Sequence, residues 1–201
     1  MKDKLLIIGC GGHGKVAIDI AKKYYKNVFL VDDNSKGEVL SCPIISTVSE
    51  ALKGEKCDFF VAIGNNLVRE EIFTSFINKG FNPVSLIHPS AIISENVEVG
   101  RGTIIMAGAV INPCVKIGIG CIVNTCSSID HDCEVDSFTH LCPNTHFAGT
   151  VKVGKYCTFG IGTNVINNVS ICNNVYFGAG AVVVNNIVIE GTYIGVPAKL
   201  K

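Results

Sequence analysis

From Ile87 onward an aliphatic or aromatic residue recurs at every sixth position, running through Ile105, Val123, Leu141, Phe159 and Phe177 to Ile189. Eighteen consecutive places obey the rule. A period of six matches neither the 3.6 of a helix nor the 2 of a simple strand. It fits a chain coiling around three short flat faces, each one hexad long, with one side chain per face turned to the axis. The place four residues further on is restricted too. Thr103, Ala109, Val115, Cys121, Ser127, Cys133 and Thr139 are small or β-branched, as suits a crowded corner. The pattern predicts a parallel β-helix of hexapeptide repeats, with eighteen hexads making about six coils.

Residues 1–86 follow a different rule. Buried-strand patterns at 4–9, 28–31, 59–63 and 84–87 alternate with helical patterns at about 15–25 and 67–79. Strands alternating with helices predict a small parallel α/β sheet of about four strands. The expected organisation is therefore a Rossmann-like α/β domain over 1–86 and a β-helix over 87–201.

The formal net charge is +0 and there is no basic run, so nucleic acid and an anionic membrane are poor partners. No apolar stretch approaches the roughly 18 residues of a membrane span. Nothing at the N-terminus resembles a cleaved signal, and the chain reads as cytoplasmic. Ten cysteines invite a metal or disulfide reading. They contain no C-x-x-C pair, and Cys121, Cys133 and Cys157 fall at the small inward place, where free cysteine behaves as a small hydrophobe. No metal is expected.

Two clusters carry candidate chemistry. Gly9-Cys10-Gly11-Gly12-His13-Gly14 matches G-x-G-x-x-G between a strand and a helix, and Asp32-Asp33 ends the next strand. Such a turn lets backbone approach a phosphate at a helix N-terminus. The domain is about half a full dinucleotide fold, which points to a nucleotide ligand other than NAD. In the coil, Asp130-His131-Asp132 flanks one imidazole with two carboxylates. A carboxylate on one ring nitrogen fixes the tautomer and makes the other nitrogen a better base. Gly149 lies eighteen residues on, so it occupies the same corner one coil higher, about 4.8 Å along the axis. It leaves a notch above the imidazole and exposes a backbone N–H. A general base beside a free donor is what acyl transfer to an amine or hydroxyl requires.

Gly11-Gly12-His13-Gly14, Val31-Asp32-Asp33, Ile63-Gly64-Asn65, His131-Asp132-Cys133, His140, Gly178-Ala179-Gly180 and Gly195-Val196-Pro197-Ala198-Lys199 occur in an order and spacing that resemble one family from end to end. It is the family of bacterial sugar acyltransferases that join a small α/β domain to a left-handed β-helix. Its members include sialic acid O-acetyltransferases and the UDP-4-amino-sugar N-acetyltransferases of bacillosamine synthesis. The resemblance implies acetyl-CoA as donor, a UDP- or dTDP-linked 4-amino-4,6-dideoxy sugar as acceptor, and a homotrimer with the site between neighbouring coils. It implies His131 as the base, with Asp132, where the family usually has Glu, raising its basicity; Asp130 is the alternative orienting group. By the same resemblance His140, the Gly149 amide, Ile161 and Ala179 contact acetyl-CoA. Gly11, Gly12, His13, Gly14, Asp32, Asp33 and Gly64 match the nucleotide-sugar site. Sialic acid O-acetylation is the alternative within this chemistry. An NAD-binding protein and a non-catalytic scaffold are the alternatives outside it.

Overall fold

Leu5 to Ile8 are buried on both sides of their strand and take the centre of a sheet. The structure is a computed structural model describing residues 1–201. The chain divides into two units, Met1–Leu86 and Ile87–Lys201.

In the first unit, β1 (Lys2–Ile8), α1 (Gly12–Ala21), β2 (Tyr25–Val31), β3 (Glu38–Val39), β4 (Cys42–Ser46), α2 (Val48–Ala51), β5 (Asp58–Val61), α3 (Asn66–Asn78) and β6 (Asn82–Pro83) follow in order. The sheet runs β3-β4-β2-β1-β5-β6, with β1 paired in parallel to both β2 and β5. Six strands stand where sequence patterning expects about four. The additional pair is the β3–β4 hairpin, turned by Leu40 and Ser41, both at positive φ. Such a turn is usually Asn-Gly or Asp-Gly, so this one carries no recognisable signal. Tyr25, expected at a helix end, instead starts β2 opposite Lys2 and donates its hydroxyl to Asp58. The last strand of this unit is shifted to Asn82–Pro83, an edge where the missing N–H of proline is tolerated.

The second unit is a left-handed parallel β-helix. Its first face stacks Ile104–Ile105, Ile122–Val123, His140–Leu141, Thr158–Phe159 and Val175–Phe177. The second face stacks Val110–Ile111, Ser128–Ile129, His146–Phe147, Asn164–Val165 and Val182–Val183. The third stacks Glu98–Val99, Lys116–Ile117, Glu134–Val135, Lys152–Val153 and Ser170–Ile171. The sixth-position residues from Ile105 to Val183 are buried along the axis. Ile189 departs from the rule at 58% exposed. The last coil is two residues short, pairing Ile171 with Ile187 and Phe177 with Tyr193. Ile187 and Tyr193 thereby take the inward places, and the antiparallel strand Lys199–Leu200 closes that end.

The small inward place does more than save space. Apart from Thr145, which donates to Cys142 O (2.8 Å), its polar members donate to the carbonyl fifteen residues on: Thr103 to Gly118 (2.8 Å), Cys121 to Asp136 (3.3 Å), Ser127 to Cys142 (3.0 Å) and Thr139 to Gly154 (3.0 Å). Cys133 to Ala148 (3.2 Å), Cys157 to Cys172 (3.1 Å) and Thr163 to Gly178 (3.5 Å) repeat it. Cysteine here is a thiol donor holding the next coil's corner, as well as a small apolar group. Cys157→Val, which keeps the volume and deletes the donor, is expected to cost about 1 kcal/mol. A lower urea midpoint at unchanged m-value is the readout.

Candidate functional site

Each corner of the coil contains one residue in the left-handed region, at every sixth position from Asn96 through Cys114, Asp132 and Thr150 to Gly180. Asp132 (φ 59°) is one of them, a conformation that aspartate tolerates better than most side chains. It follows His131 at the corner between the second and third faces. Asp132 Oδ2 lies 2.8 Å from His131 Nδ1. Asp130 turns elsewhere: its Oδ1 accepts from the His131 backbone N–H (2.8 Å) and from Asn112 Nδ2 (2.7 Å) one coil below. Of the two flanking carboxylates, Asp132 therefore orients the ring, while Asp130 holds the backbone. The His131 pKa is raised above the usual histidine value by the Asp132 hydrogen bond, with the Asp130 charge adding to it. The Asn112 and His131 N–H bonds hold Asp130 below the usual carboxylate range.

Gly149 sits at the same corner, one coil on. A Cβ built on it would lie 2.6 Å from His131 Cε1 and 2.7 Å from Nε2. The imidazole edge therefore rests on the glycine backbone, in the space that any side chain would take. The Gly149 N–H has no hydrogen-bond partner within the chain. A base nitrogen and an unpaired amide thus share one notch.

The other coil residues expected at a cofactor site lie elsewhere on the prism. His140 projects outward from the first face beside Asn124, while its neighbour Leu141 is buried. Ile161 and Ala179 are exposed at the corner between the first and second faces, where Gly180 N donates to Ile161 O (2.8 Å). Within one chain the second face separates this group from His131 and Gly149. His146 lies on that face, hydrogen-bonded to Ser128 Oγ (2.9 Å). No three His, Cys, Asp or Glu side chains converge to hold an ion, and no helix is long and apolar enough to cross a membrane.

In the first unit the connections after β1 and β5 lead to opposite sides of the sheet. This opens a crevice at their carboxyl ends, the place where α/β sheets bind ligands. Gly9 (φ 97°) and Gly14 are glycine for packing, because an added Cβ would meet Ala62 O at 2.9 Å and Gly9 O at 2.4 Å respectively. At Gly11, Gly12 and Gly64 a Cβ would meet nothing within 4 Å, so these three border open space. The N-cap of α1 is Gly11, with no side-chain cap, leaving the first N–H groups available to an anion. The N-terminus of α3, by contrast, is capped by its own Asn65.

His13 stands beside Phe60, its Nε2 buried without a partner. Burial, reinforced by the Arg69 guanidinium, pushes its pKa down to about 4, so the ring is neutral at physiological pH. Asp32 ties the turn to β2, accepting from Cys10 N (3.0 Å), Cys10 Sγ (3.1 Å) and Asn34 N (3.0 Å). Burial opposes its ionisation, but the hydrogen bonds from Cys10, Asn34 and Ser35 together outweigh that and hold the carboxyl below its usual range. Asp33 Oδ1 accepts from Val48 N at the start of α2 (2.8 Å). Both aspartates line a cleft of about 320 Å³ with Ser35, Lys36 and Ser46, and Ser46 Oγ is buried without a partner.

Sequence reasoning missed three supporting residues. Arg69 is 1% exposed and donates to Ile63 O (2.9 Å), Gly64 O (3.0 Å) and Asn66 Oδ1 (2.7 Å), clamping the loop after β5. An arginine in the first turns of a helix gives no sign that it points inward. Asn112 and Ser46 are equally ordinary in sequence. Only the eighteen-residue stacking offset marks Asn112, by setting it under Asp130.

Residues 4–76 match the family described as the PglD N-terminal domain. The chain is 35% identical to the acetyltransferase domain of PglB from Neisseria gonorrhoeae FA1090, solved with acetyl coenzyme A, with a TM-score of 0.97 over 100% of both chains. It is 37% identical to PerB from Caulobacter crescentus, solved with CoA and GDP-perosamine, with a TM-score of 0.92 over 98% of this chain and 97% of that one. The GDP-perosamine N-acetyltransferase of Escherichia coli O157:H7 is 26% identical over 172 residues, 81% of this chain and 78% of that enzyme. On fold and full-length similarity together, the chain belongs to the acetyl-CoA-dependent hexapeptide-repeat sugar N-acetyltransferases with a PglD-type N-terminal domain.

Proposed function

We propose that this chain transfers the acetyl group of acetyl-CoA to the 4-amino group of a nucleotide-linked 4-amino-4,6-dideoxy sugar. The observation that carries the reading is the corner at which Asp132 holds His131 Nδ1 while Nε2 rests beside the unpaired Gly149 N–H. With Nδ1–H committed to Asp132, Nε2 is the basic nitrogen. It takes a proton from the sugar amine as the nitrogen attacks the thioester carbonyl. The Gly149 N–H donates to the oxygen on which negative charge develops. The C–N bond forms, the C–S bond breaks, and the proton held by His131 leaves with CoA as its thiol. No covalent acyl-enzyme is needed.

The acceptor's nucleotide is assigned to the crevice of the first unit. Its diphosphate would lie on Gly11, Gly12 and the uncapped α1 N-terminus, with His13, Gly14 and Gly64 around it and Asp32 and Asp33 toward the nucleoside. Neutral His13 would donate its imidazole N–H to a phosphate oxygen without adding charge. Acetyl-CoA is assigned to His140, Ile161 and Ala179 together with Gly149. These groups occupy separate corners of one prism, so a single site built from both needs two copies of the chain, as a homotrimer with sites between neighbours supplies. The expected mass in solution is three times the 21.4 kDa of the chain. The setting is the cytoplasm, where acetyl-CoA and nucleotide sugars are made.

The test is release of CoA thiol from acetyl-CoA with a panel of acceptors: UDP- and dTDP-linked 4-amino-4,6-dideoxyhexoses, GDP-perosamine, and free and CMP-linked sialic acid. Turnover with one nucleotide-linked 4-amino sugar is expected and fixes the base. Turnover with sialic acid alone would replace N- by O-acetylation. Silence across the panel would sink the acyltransfer reading.

A further inference from the structure

Three groups in the coil lie outside the reaction just described: the Ser128–His146 pair, the Glu98, Lys116, Glu134 and Lys152 ladder of the third face, and the inward thiols. The thiol of Cys133 is distinguished by what it holds. Its Sγ donates to Ala148 O (3.2 Å) and accepts from Val151 N (3.3 Å), bracketing the Gly149–Thr150 corner from inside the coil. Ala148 O belongs to the same peptide plane as the Gly149 N–H. That bond is trans, the sole cis peptide being Val196–Pro197. In a planar trans peptide the C=O and N–H point in opposite directions. A carbonyl drawn inward to the thiol therefore turns the N–H outward, toward the notch where His131 Nε2 lies.

We infer that Cys133 is a positioning residue for the oxyanion donor: its buried thiol aims the Ala148–Gly149 peptide so that the Gly149 N–H faces the reacting carbonyl. The inference rests on the acyltransfer reading above. The same bond recurs at Cys157, whose thiol holds Cys172 O (3.1 Å) at a corner far along the chain from His131. Fold stability needs both bonds, whereas catalysis needs one of them. A thiol is also suited to this place, since Cys133 is fully buried and burial pushes its pKa up to about 11. It stays protonated, and so a donor, throughout the working range.

The experiment compares Cys133→Val, Cys133→Ser and Cys157→Val with the intact chain, reading kcat, both KM values and the melting temperature. Valine already fills this place at Val115 and Val151, and serine makes the equivalent bond at Ser127. Cys133→Val is expected to lose about 10-fold in kcat, a fraction of the roughly 10²–10³ typical of deleting an oxyanion donor outright. Its KM values should stay unchanged, because the oxyanion develops only in the transition state. Cys133→Ser should restore kcat, and Cys157→Val should melt earlier with kcat intact. Wild-type kcat in Cys133→Val would overturn the inference, as would a serine variant no better than valine or an equal kcat loss in Cys157→Val. An intact chain inactive toward every acceptor would overturn the acyltransfer reading itself, and this inference with it.

Discussion

Replacing His131 by alanine is expected to cut kcat by about 10²–10⁴, the range for losing a positioned general base. Both KM values should stay close to those of the intact enzyme. The side chain is more than half exposed and supports no core packing, so the melting temperature should hardly move. Its charge state supplies a second readout. Acyl transfer needs the neutral imidazole, so activity falls as pH drops through the His131 pKa. The Asp132 bond, and behind it the Asp130 charge, raise that pKa. The acid limb of kcat/KM is accordingly expected above the ordinary histidine value of about 6.5. Asp132→Asn removes the larger cause, and its limb should move to lower pH even as kcat falls. A limb that stays in place in Asp132→Asn would assign the titration to another group, and a His131→Ala variant with near-normal kcat would remove the base altogether.

Gly149→Ala is expected to be nearly as damaging, at about 10² in kcat, the low end of the range for losing a positioned general base. Its Cβ would stand 2.6–2.7 Å from the imidazole, closer than two such atoms can approach. The ring is the mobile partner, being exposed, while the glycine is fixed between Ala148 O on the Cys133 thiol and its own carbonyl on Asn168 N (3.1 Å). His131 should swing away from the notch, loosen its bond to Asp132 and titrate nearer the ordinary value. Gly149 has no positive φ, so the methyl group strains no backbone, and the coil should melt within a few degrees of the parent. The combination separates this variant from a folding defect: low kcat, a lowered acid limb and an intact melt. Normal turnover in Gly149→Ala would mean that the imidazole does its work in some other orientation.

The coil was legible because its code is strictly local in period. One apolar side chain per hexad is all that a narrow prism axis can accept, and the small place beside it is set by the corner. The same offset of eighteen carries information sideways, which is why Gly149 could be set above His131 from the sequence alone. The exception is instructive. Val183 to Ile189 keeps the six-residue spacing, yet the chain drops two residues there and buries Ile187 and Tyr193 instead. At the end of a coil there is no next layer to enforce the register. The β3–β4 hairpin was missed for a different reason. Its turn residues, Leu40 and Ser41, reach positive φ under tertiary constraint and not by glycine chemistry.

The sequence by itself determined the architecture, the candidate base with its acidic neighbours and the glycine turn, since these follow from period, spacing and residue type, while the chemical class came from the family resemblance of its motifs. The tertiary structure decided what depends on the direction of short side chains. Asp132 takes the imidazole nitrogen and Asp130 the backbone N–H, a choice set by the left-handed conformation at Asp132 and by Asn112 below. Arg69 turns inward to the loop after β5, where three acceptors wait for its guanidinium. His140, Ile161 and Ala179 fall a full face away from His131, because hexads that are close in sequence are carried around the prism to different corners. Period specifies which residues face the axis. Only the folded coil specifies which of the outward ones meet.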